Sequence, residues 1–484
     1  MNTYHLMREE SLALKTKKGL FWSSFERFGA QAIQFIFGII LARLLSPEDY
    51  GLIAMPLIFL ALAQCLIDSG FTSAIIRKPS LKEEDLSTAF FFSVIVGIVC
   101  YIILFLLSDT IAGFYNVPEL SNILRITALA TIINPLCIVQ QSVLTRKLEF
   151  KIQAKISIVS QLLTGVIGLS LAYSGFGVWS LVIQQIGGLL LRTILLWIFG
   201  KWYPKTGWSK VSFDYLWGYG SKILLSSILE TIYSNIYPFI IGKFYKPADL
   251  GNYTRANTFA NFPSSNVTTI LQKVTFPVLS SIQDDDIRLQ TNYRKFIKLS
   301  CYVIFPLMMG LSSSANSVVN VLLGEKWEGC VILLKIVCFN LMWFPVHAIN
   351  LNLLQVKGRS ELYLKLEIIK KIVGFTILII SVPFGLVPLM IGGVVTSVFA
   401  LFINTYYTGK LINVGFTKQM RDIAPMFFSS IILWIIIEIT NHIFASGILL
   451  LIADIFLGIL IYFLLSLIFM KDQMSDLKGF IAMK

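Results

Sequence analysis

Long apolar stretches alternate with short polar connectors along all 484 residues, in the rhythm of helices that cross a bilayer. A helix needs about 20 mostly apolar residues to span the hydrocarbon core. Membrane-barrel strands would show about ten alternating residues per crossing instead. Fourteen stretches of spanning length are predicted, centred near residues 31, 64, 95, 133, 162, 188, 228, 264, 307, 342, 373, 397, 432 and 459. The predicted fold is an all-α polytopic membrane protein. No secretory signal is expected, because residues 1–18 are polar and the apolar stretch after them is too long and lacks a cleavage site.

The pattern is written twice. ILARLLSPEDYG (40–51) is echoed by IIGKFYKPADLG (240–251). At this offset Arg43 matches Lys243, Pro47 matches Pro247, Asp49 matches Asp249, and Gly51 matches Gly251. Further on the spacing widens slightly. Arg125 then matches Lys335, Pro135 matches Pro345, Lys147 matches Lys357, and Gly175 matches Gly385. Proline ends one helix, aspartate caps the next, and glycine permits a tight turn. That chemistry explains the corner but not its repetition. Each copy holds an even number of stretches, so the repeat is parallel, about an axis along the membrane normal, as in transporters. The expected organisation is a six-helix bundle over 1–205, a second over 206–415, and two added helices with a tail over 416–484. The added pair either packs against lipid or helps form a groove for a lipid tail.

Charge adds orientation. Lys and Arg number 40 against 27 acidic residues, for a net charge of +13. Twenty-seven of the basic residues fall on one alternating set of connectors and tails, and four on the other: Arg43, Lys243, Lys246 and Lys326. The bias predicts both termini in the cytoplasm. Basic residues so dispersed form no nucleic-acid patch, and no nucleic-acid partner is expected. The six cysteines make no CxxC and the three histidines are scattered, so neither a metal site nor a cofactor is expected.

The other basic residues lie within or near the stretches. A mid-bilayer charge costs at least about 2.5–3.5 kcal/mol on insertion scales, so it usually faces a partner or a wet cavity. Arg27, Arg255, Lys273, Lys370 and Lys371 are candidate cavity groups; Lys273, like Lys222, either lines a cavity or snorkels to the interface. For Lys370 and Lys371 the alternative is a neutralised ramp, with Glu361–Lys365 and Glu367–Lys371 at i,i+4 spacing. Gln31 and Gln34 form a polar stripe on the first stretch, matched by Thr231 and Ser234 on the seventh. On the eighth, Asn257, Asn261, Ser264, Thr268 and Gln272 share one helical face. Such faces either bond between helices or line a hydrated cavity for polyhydroxylated or anionic cargo. Acidic groups within the stretches are few, among them Glu26, Asp68 and Glu230. Ser-Gly after Asp68 predicts a break in the second stretch.

Residues 17–78, KKGLFWSSFERFGAQAIQFIFGIILARLLSPEDYGLIAMPLIFLALAQCLIDSGFTSAIIRK, resemble the start of bacterial polysaccharide-unit flippases. These belong to the multidrug/oligosaccharidyl-lipid/polysaccharide exporter superfamily. The likeness is to the branch handling lipopolysaccharide, colanic-acid and teichuronic-type units. It implies two six-helix bundles around a cationic central cavity in the bacterial inner membrane. It also implies an oligosaccharide on an undecaprenyl pyrophosphate carrier as cargo, H+ or Na+ coupling as in some relatives, with Glu26, Asp68 and Glu230 as the candidate carboxylates, and a polysaccharide polymerase and export machinery as partners. Independently of the likeness, an arginine fork and a lysine point charge suit a pyrophosphate. A cation-coupled multidrug exporter of the same superfamily would prefer an acidic, aromatic cavity. A membrane glycosyltransferase or polymerase would need catalytic carboxylates. Asp109 and Glu119 share one short connector without a DxD pattern, so no enzyme is expected.

Overall fold

The computed structural model describes residues 2–200, 202–444 and 447–482, with 2–21, 24, 478 and 480–482 described by backbone alone. Lys201 and Lys484, counted in the topology bias, lie outside the described residues. All regular structure among the described residues is helical. Packing divides the chain into two compact units, Met1–Gly251 and Asn252–Lys484.

In unit 1, α1 (Asn2–Leu44) leads into the first corner and a span broken into α2 (Pro47–Ala54), α3 (Leu57–Asp68) and α4 (Phe71–Arg77). The predicted break after Asp68 is present: Ser69 and Gly70 are left-handed, with φ of 45° and 72°. The long α5 (Glu83–Tyr115) follows. The fourth predicted stretch is bent by 42°, between α6 (Leu120–Thr127) with α7 (Ala130–Ile133) and α8 (Pro135–Arg146). Pro135 has no N–H to continue the ladder. Beside the bend, the Asn134 amide donates to Gln64 Oε1, so a polar residue of α3 meets its partner there. Arg146 donates to the carbonyls of Ile75 (2.8 Å) and Pro79 (2.9 Å) and so satisfies the free end of α4. Two uninterrupted spans, α9 (Phe150–Tyr173) and α10 (Val178–Gly200), precede α11 (Lys210–Phe244).

Next comes α12 (Pro247–Ser281), whose first turn belongs to unit 1. Unit 2 continues with α13 (Asp286–Ser313), α14 (Ala315–Leu322), α15 (Glu328–Leu341), α16 (Phe344–Val356), α17 (Ser360–Ser381) and α18 (Leu386–Ile412). The added pair is α19 (Phe416–Ile443) and α20 (Ile448–Phe469), followed by α21 (Lys471–Ala482). The backbone repeats itself where the sequence does. Pro345 opens α16 as Pro135 opens α8. Left-handed residues recur at Leu148 and Gly358 (φ 59° and 66°) and at Gly175 and Gly385 (82° and 107°).

Eleven helices or helix runs are long and apolar enough to cross a membrane, and twelve if the bent pair is one span. Fourteen were expected. The two expected positions that fall short are α12 and α17, at 35 and 22 residues. Their length suffices; their polar faces lower the apolarity. Asn, Thr and Gln do so in α12, and Lys365, Glu367, Lys370 and Lys371 in α17. The packing division after Gly251 keeps α11 with α3, α4 and α5, whereas the sequence repeat groups it with the second copy.

Candidate functional site

The ends of α11 are buried, and its middle is half-buried or exposed. Its fully buried residues are Ser212, Leu216 and Gly220 near the start and Ile241 and Gly242 near the finish. Gly220 rests on the α3–α4 break: a Cβ there would lie 2.3 Å from the Ser69 carbonyl oxygen, and one on Gly70 would lie 2.7 Å from the Gly220 oxygen. Small residues let membrane helices approach this closely. At the far end a Cβ on Gly242 would meet the Tyr115 ring at 3.1 Å. Between these anchors lies a hollow of about 830 Å³, lined by Cys65 of α3 and by Tyr219, Lys222, Ile223, Ser226, Ser227, Glu230, Thr231 and Ser234 of α11.

Lys222, Ser226, Glu230 and Ser234 recur every four residues and therefore share a helix face. Cys65 Sγ lies 3.1 Å from Thr231 Oγ1. One cation, one carboxylate and a row of hydroxyls thus line a single wall of a membrane-length helix. Facing lipid, such a row would be costly; facing water, it can donate to and accept from sugar hydroxyls, with the lysine as a point charge for phosphate.

Of the predicted site residues in unit 1, Glu230 lines this hollow, beside Thr231 and Ser234. Glu26, Arg27, Gln31, Gln34 and Asp68 are not among its lining residues. Glu26 has Arg192 of α10 as its charged neighbour. Arg27 and Gln34 are exposed, whereas Gln31 is half-buried with its Oε1 enclosed and lacking a hydrogen-bond partner. Asp68 accepts a hydrogen bond from Thr72 Oγ1. In unit 2 the polar face of α12 splits. Ser264 is buried and donates to the Leu341 carbonyl at 3.0 Å, and Thr268 is also buried. Asn261 and Asn257 are half-buried and bonded to each other at 2.8 Å. Arg255 is half-buried and Lys273 exposed. Lys370 pairs with Glu367 one turn away, and Lys371 is half-buried beside it in sequence. Glu361 lies 3.4 Å from Arg359 rather than in the expected pair with Lys365. Both are solvent-facing, where ion pairs are weak and exchange cheaply.

The repeated corner residues do come together. Ser46 caps α2 in a full capping box: its N–H donates to Asp49 Oδ2 at 2.8 Å, and the Asp49 N–H donates to Ser46 Oγ at 3.2 Å. In the second copy the Lys246 N–H donates to Asp249 Oδ2 at 3.2 Å, but lysine has no oxygen to return the bond. Gly51 and Gly251 then seat reciprocally. A Cβ on Gly51 would lie 1.8 Å from the Pro247 carbonyl oxygen, and a Cβ on Gly251 would lie 1.8 Å from that of Pro47.

Cys65 and Ser226 were not singled out from sequence, and Lys222 was left between cavity and interface, although the four-residue spacing through Glu230 and Ser234 carried the signal. Two repeat-matched cations also find partners. Arg125 pairs at 2.7 Å with Asp109, which lies in the last turns of α5 rather than in a connector as expected. Lys335 pairs with Glu438 of the added helix α19, beside a smaller hollow of about 410 Å³ that includes Asn441 and His442.

Comparison with known proteins follows the same lines. The family described as "Polysaccharide biosynthesis protein" matches residues 40–332. The lipopolysaccharide biosynthesis protein WzxC of Escherichia coli (strain K12) is 27% identical over 74% of each chain. The succinoglycan biosynthesis transport protein ExoT of Rhizobium meliloti (strain 1021) is 27% identical over 63% of this chain and 62% of its own. Among solved structures, the lipid II flippase MurJ in an inward closed conformation superposes with a TM-score of 0.74 at 15% identity, covering 93% of this chain and 99% of that one. At that identity the likeness is one of fold.

Proposed function

The chain belongs to the polysaccharide biosynthesis protein family, and from that membership we propose that it flips undecaprenyl-pyrophosphate-linked oligosaccharide units across the bacterial inner membrane. The observation that carries the proposal is the α11 hollow, where Lys222, Ser226, Glu230 and Ser234 line one wall deep in a membrane-length helix. The polar head of the cargo bonds to this wall while its tail stays in lipid. Movement follows alternating access along a hydrated, cationic path. In this reading α12 and α17 also cross the membrane, giving fourteen spans in two six-helix repeats (1–205 and 206–415) plus the added pair over 416–484. Both termini then lie in the cytoplasm, as the lysine and arginine bias requires. Arg27, Arg255, Asn257, Asn261, Lys273, Lys370 and Lys371 are the further wall groups proposed for a pyrophosphate and its sugars, with Gln31 and Gln34. Glu26, Asp68 and Glu230 are the proposed coupling carboxylates for H+ or Na+.

The test is reconstitution of the full chain with a fluorescent polyprenyl-pyrophosphate glycan and a leaflet-specific quencher. The wild type moves label between leaflets, and Arg27→Ala and Arg255→Ala each slow it by about tenfold, the loss expected for one charge-assisted contact of about 1.5 kcal/mol. Vesicles that move a cationic dye but not the glycan would favour a multidrug exporter, the role of some transporters of similar fold.

A further inference from the structure

Why the corner is written twice has a structural answer that goes beyond the proposed transport and rests on it only for its purpose. We propose that the two corners form a latch, in which the mutual seating of Gly51 and Gly251 closes one end of the α11 hollow.

The contact is backbone on backbone in both directions. Each glycine faces the carbonyl of the other copy's proline so closely that any Cβ would fall 1.8 Å from the oxygen. Real Cβ atoms do not come that near, and a carbonyl in the first turn of a helix cannot turn aside as a side chain can. Reciprocity follows from the duplication. Two copies of one corner, meeting about a shared axis, must each supply both a glycine and a proline carbonyl. A lone copy of the motif would have nothing to seat on.

Aromatic packing lies between this contact and the hollow. Phe239 of α11 stacks on Phe114 at 5.6 Å and meets Tyr115 at 6.1 Å and Phe59 of α3 at 6.4 Å. Lys243 ties the end of α11 down, since its ammonium donates to the Phe114 carbonyl and lies 4.2 Å from the centre of that ring. Glycine contact, aromatic packing and lysine tie share one end of α11, while Cys65 sits beyond them in the hollow. Separating the corners removes the backbone seat and frees the aromatic group to part.

The protein carries its own reporter. Cys65 lines the hollow, whereas the other five cysteines are buried. The full chain in oriented proteoliposomes is treated with a membrane-impermeant maleimide on the face that bears the corners. Wild-type Cys65 is expected to label slowly from that face. Gly51→Ala should raise the rate by about five- to a hundredfold, the shift that overpacking a tight contact by one methyl gives a closed state. Gly251→Ala should do the same, and the double variant should add little to either, since both changes break one contact. Lys243→Ala introduces no clash and should raise labelling by a few-fold; it decides the matter if the glycine variants do not accumulate. Wild-type labelling rates in Gly51→Ala and Lys243→Ala, or additive effects in the double variant, would overturn the latch. Labelling needs no cargo. Latch variants that label quickly in a protein that moves no glycan would therefore leave the latch standing and remove the transport proposal.

Discussion

The α11 face of unit 1 and the α13–α19 joint of unit 2 place polar residues of membrane-length helices in opposite ways. In unit 1, α11 turns Lys222, Ser226, Glu230 and Ser234 onto an open hollow. In unit 2 the polar groups joining α13, α16, α18 and α19 bond to one another instead. Asn350 bonds Thr408 at 2.6 Å and Gln419 at 3.0 Å, and Arg294 grips Asp422 with two bonds of 2.6 and 2.7 Å. Asn350, Thr408 and Gln419 are all buried. Polarity within a span therefore does not by itself mark a path for cargo. Satisfied, it is cement between helices; facing a cavity, it is available to a ligand.

The comparison breaks first at Asp422. Its carboxylate is 5% exposed and answers both Arg294 and Lys298. Asp422→Ala strands two cations and opens the joint between α13 and α19. The expected loss is about 2–3 kcal/mol, below the 3–5 of a fully buried pair because Arg294 is 41% exposed. Thermal unfolding in detergent would read it as a clear drop in midpoint, with transport falling only as folded protein is lost. A variant that unfolds normally yet transports nothing would place Asp422 on the path and dissolve the contrast.

The α11 face should behave the other way. Lys222→Ala is expected to leave unfolding within about 0.5 kcal/mol of wild type, as for an exposed position, while glycan movement slows by about tenfold. Ser226→Ala removes a neutral hydroxyl contact worth about 1 kcal/mol, so its effect should be smaller, about three- to fivefold, again with stability unchanged. A stability loss at either position would make the face structural after all.

How much of this the sequence disclosed depends on the range of the interaction. Hydropathy is local, and it placed most of the spans and, with Ser69 and Gly70, the break after Asp68; Pro135 and Pro345 were legible as a repeat match but not as the helix breaks the structure puts before them. Asp49 and Asp249 were legible as caps because capping acts within one turn. The partners of polar residues were not legible, since they are set by helix rotation and by the packing of distant elements. Ser264 and Thr268 carry the same periodicity as Asn257 and Asn261, yet Ser264 turns inward onto α15. Lys335 matches Arg125 in the repeat, but its carboxylate comes from the added helix α19, for which the first copy has no counterpart. The α11 face was readable in spacing alone; what concealed it was Lys222, which reads equally well as a snorkelling residue. Glycine seating at Gly51 and Gly251 leaves no hydropathy trace at all, only the fact of repetition.

The smallest effect separates the two corners themselves. Ser46 completes its box, whereas Lys246 contributes only a backbone N–H. Ser46→Ala should cost about 1 kcal/mol, the usual loss for an N-cap serine, and Lys246→Ala close to nothing. Lys246→Ser would supply the missing hydroxyl oxygen and should return up to about 1 kcal/mol, read as a small rise in the unfolding midpoint. The asymmetry isolates what the corners share. If capping held them, the first copy would be the stronger and the second dispensable. Equal losses from Ser46→Ala and Lys246→Ala would show that the hydroxyl is idle and that proline and glycine, common to both copies, hold each corner. A loss confined to Ser46→Ala, with labelling of Cys65 unchanged, would instead divide the work: the cap sets the start of α2, and the reciprocal glycine seat holds the corners together.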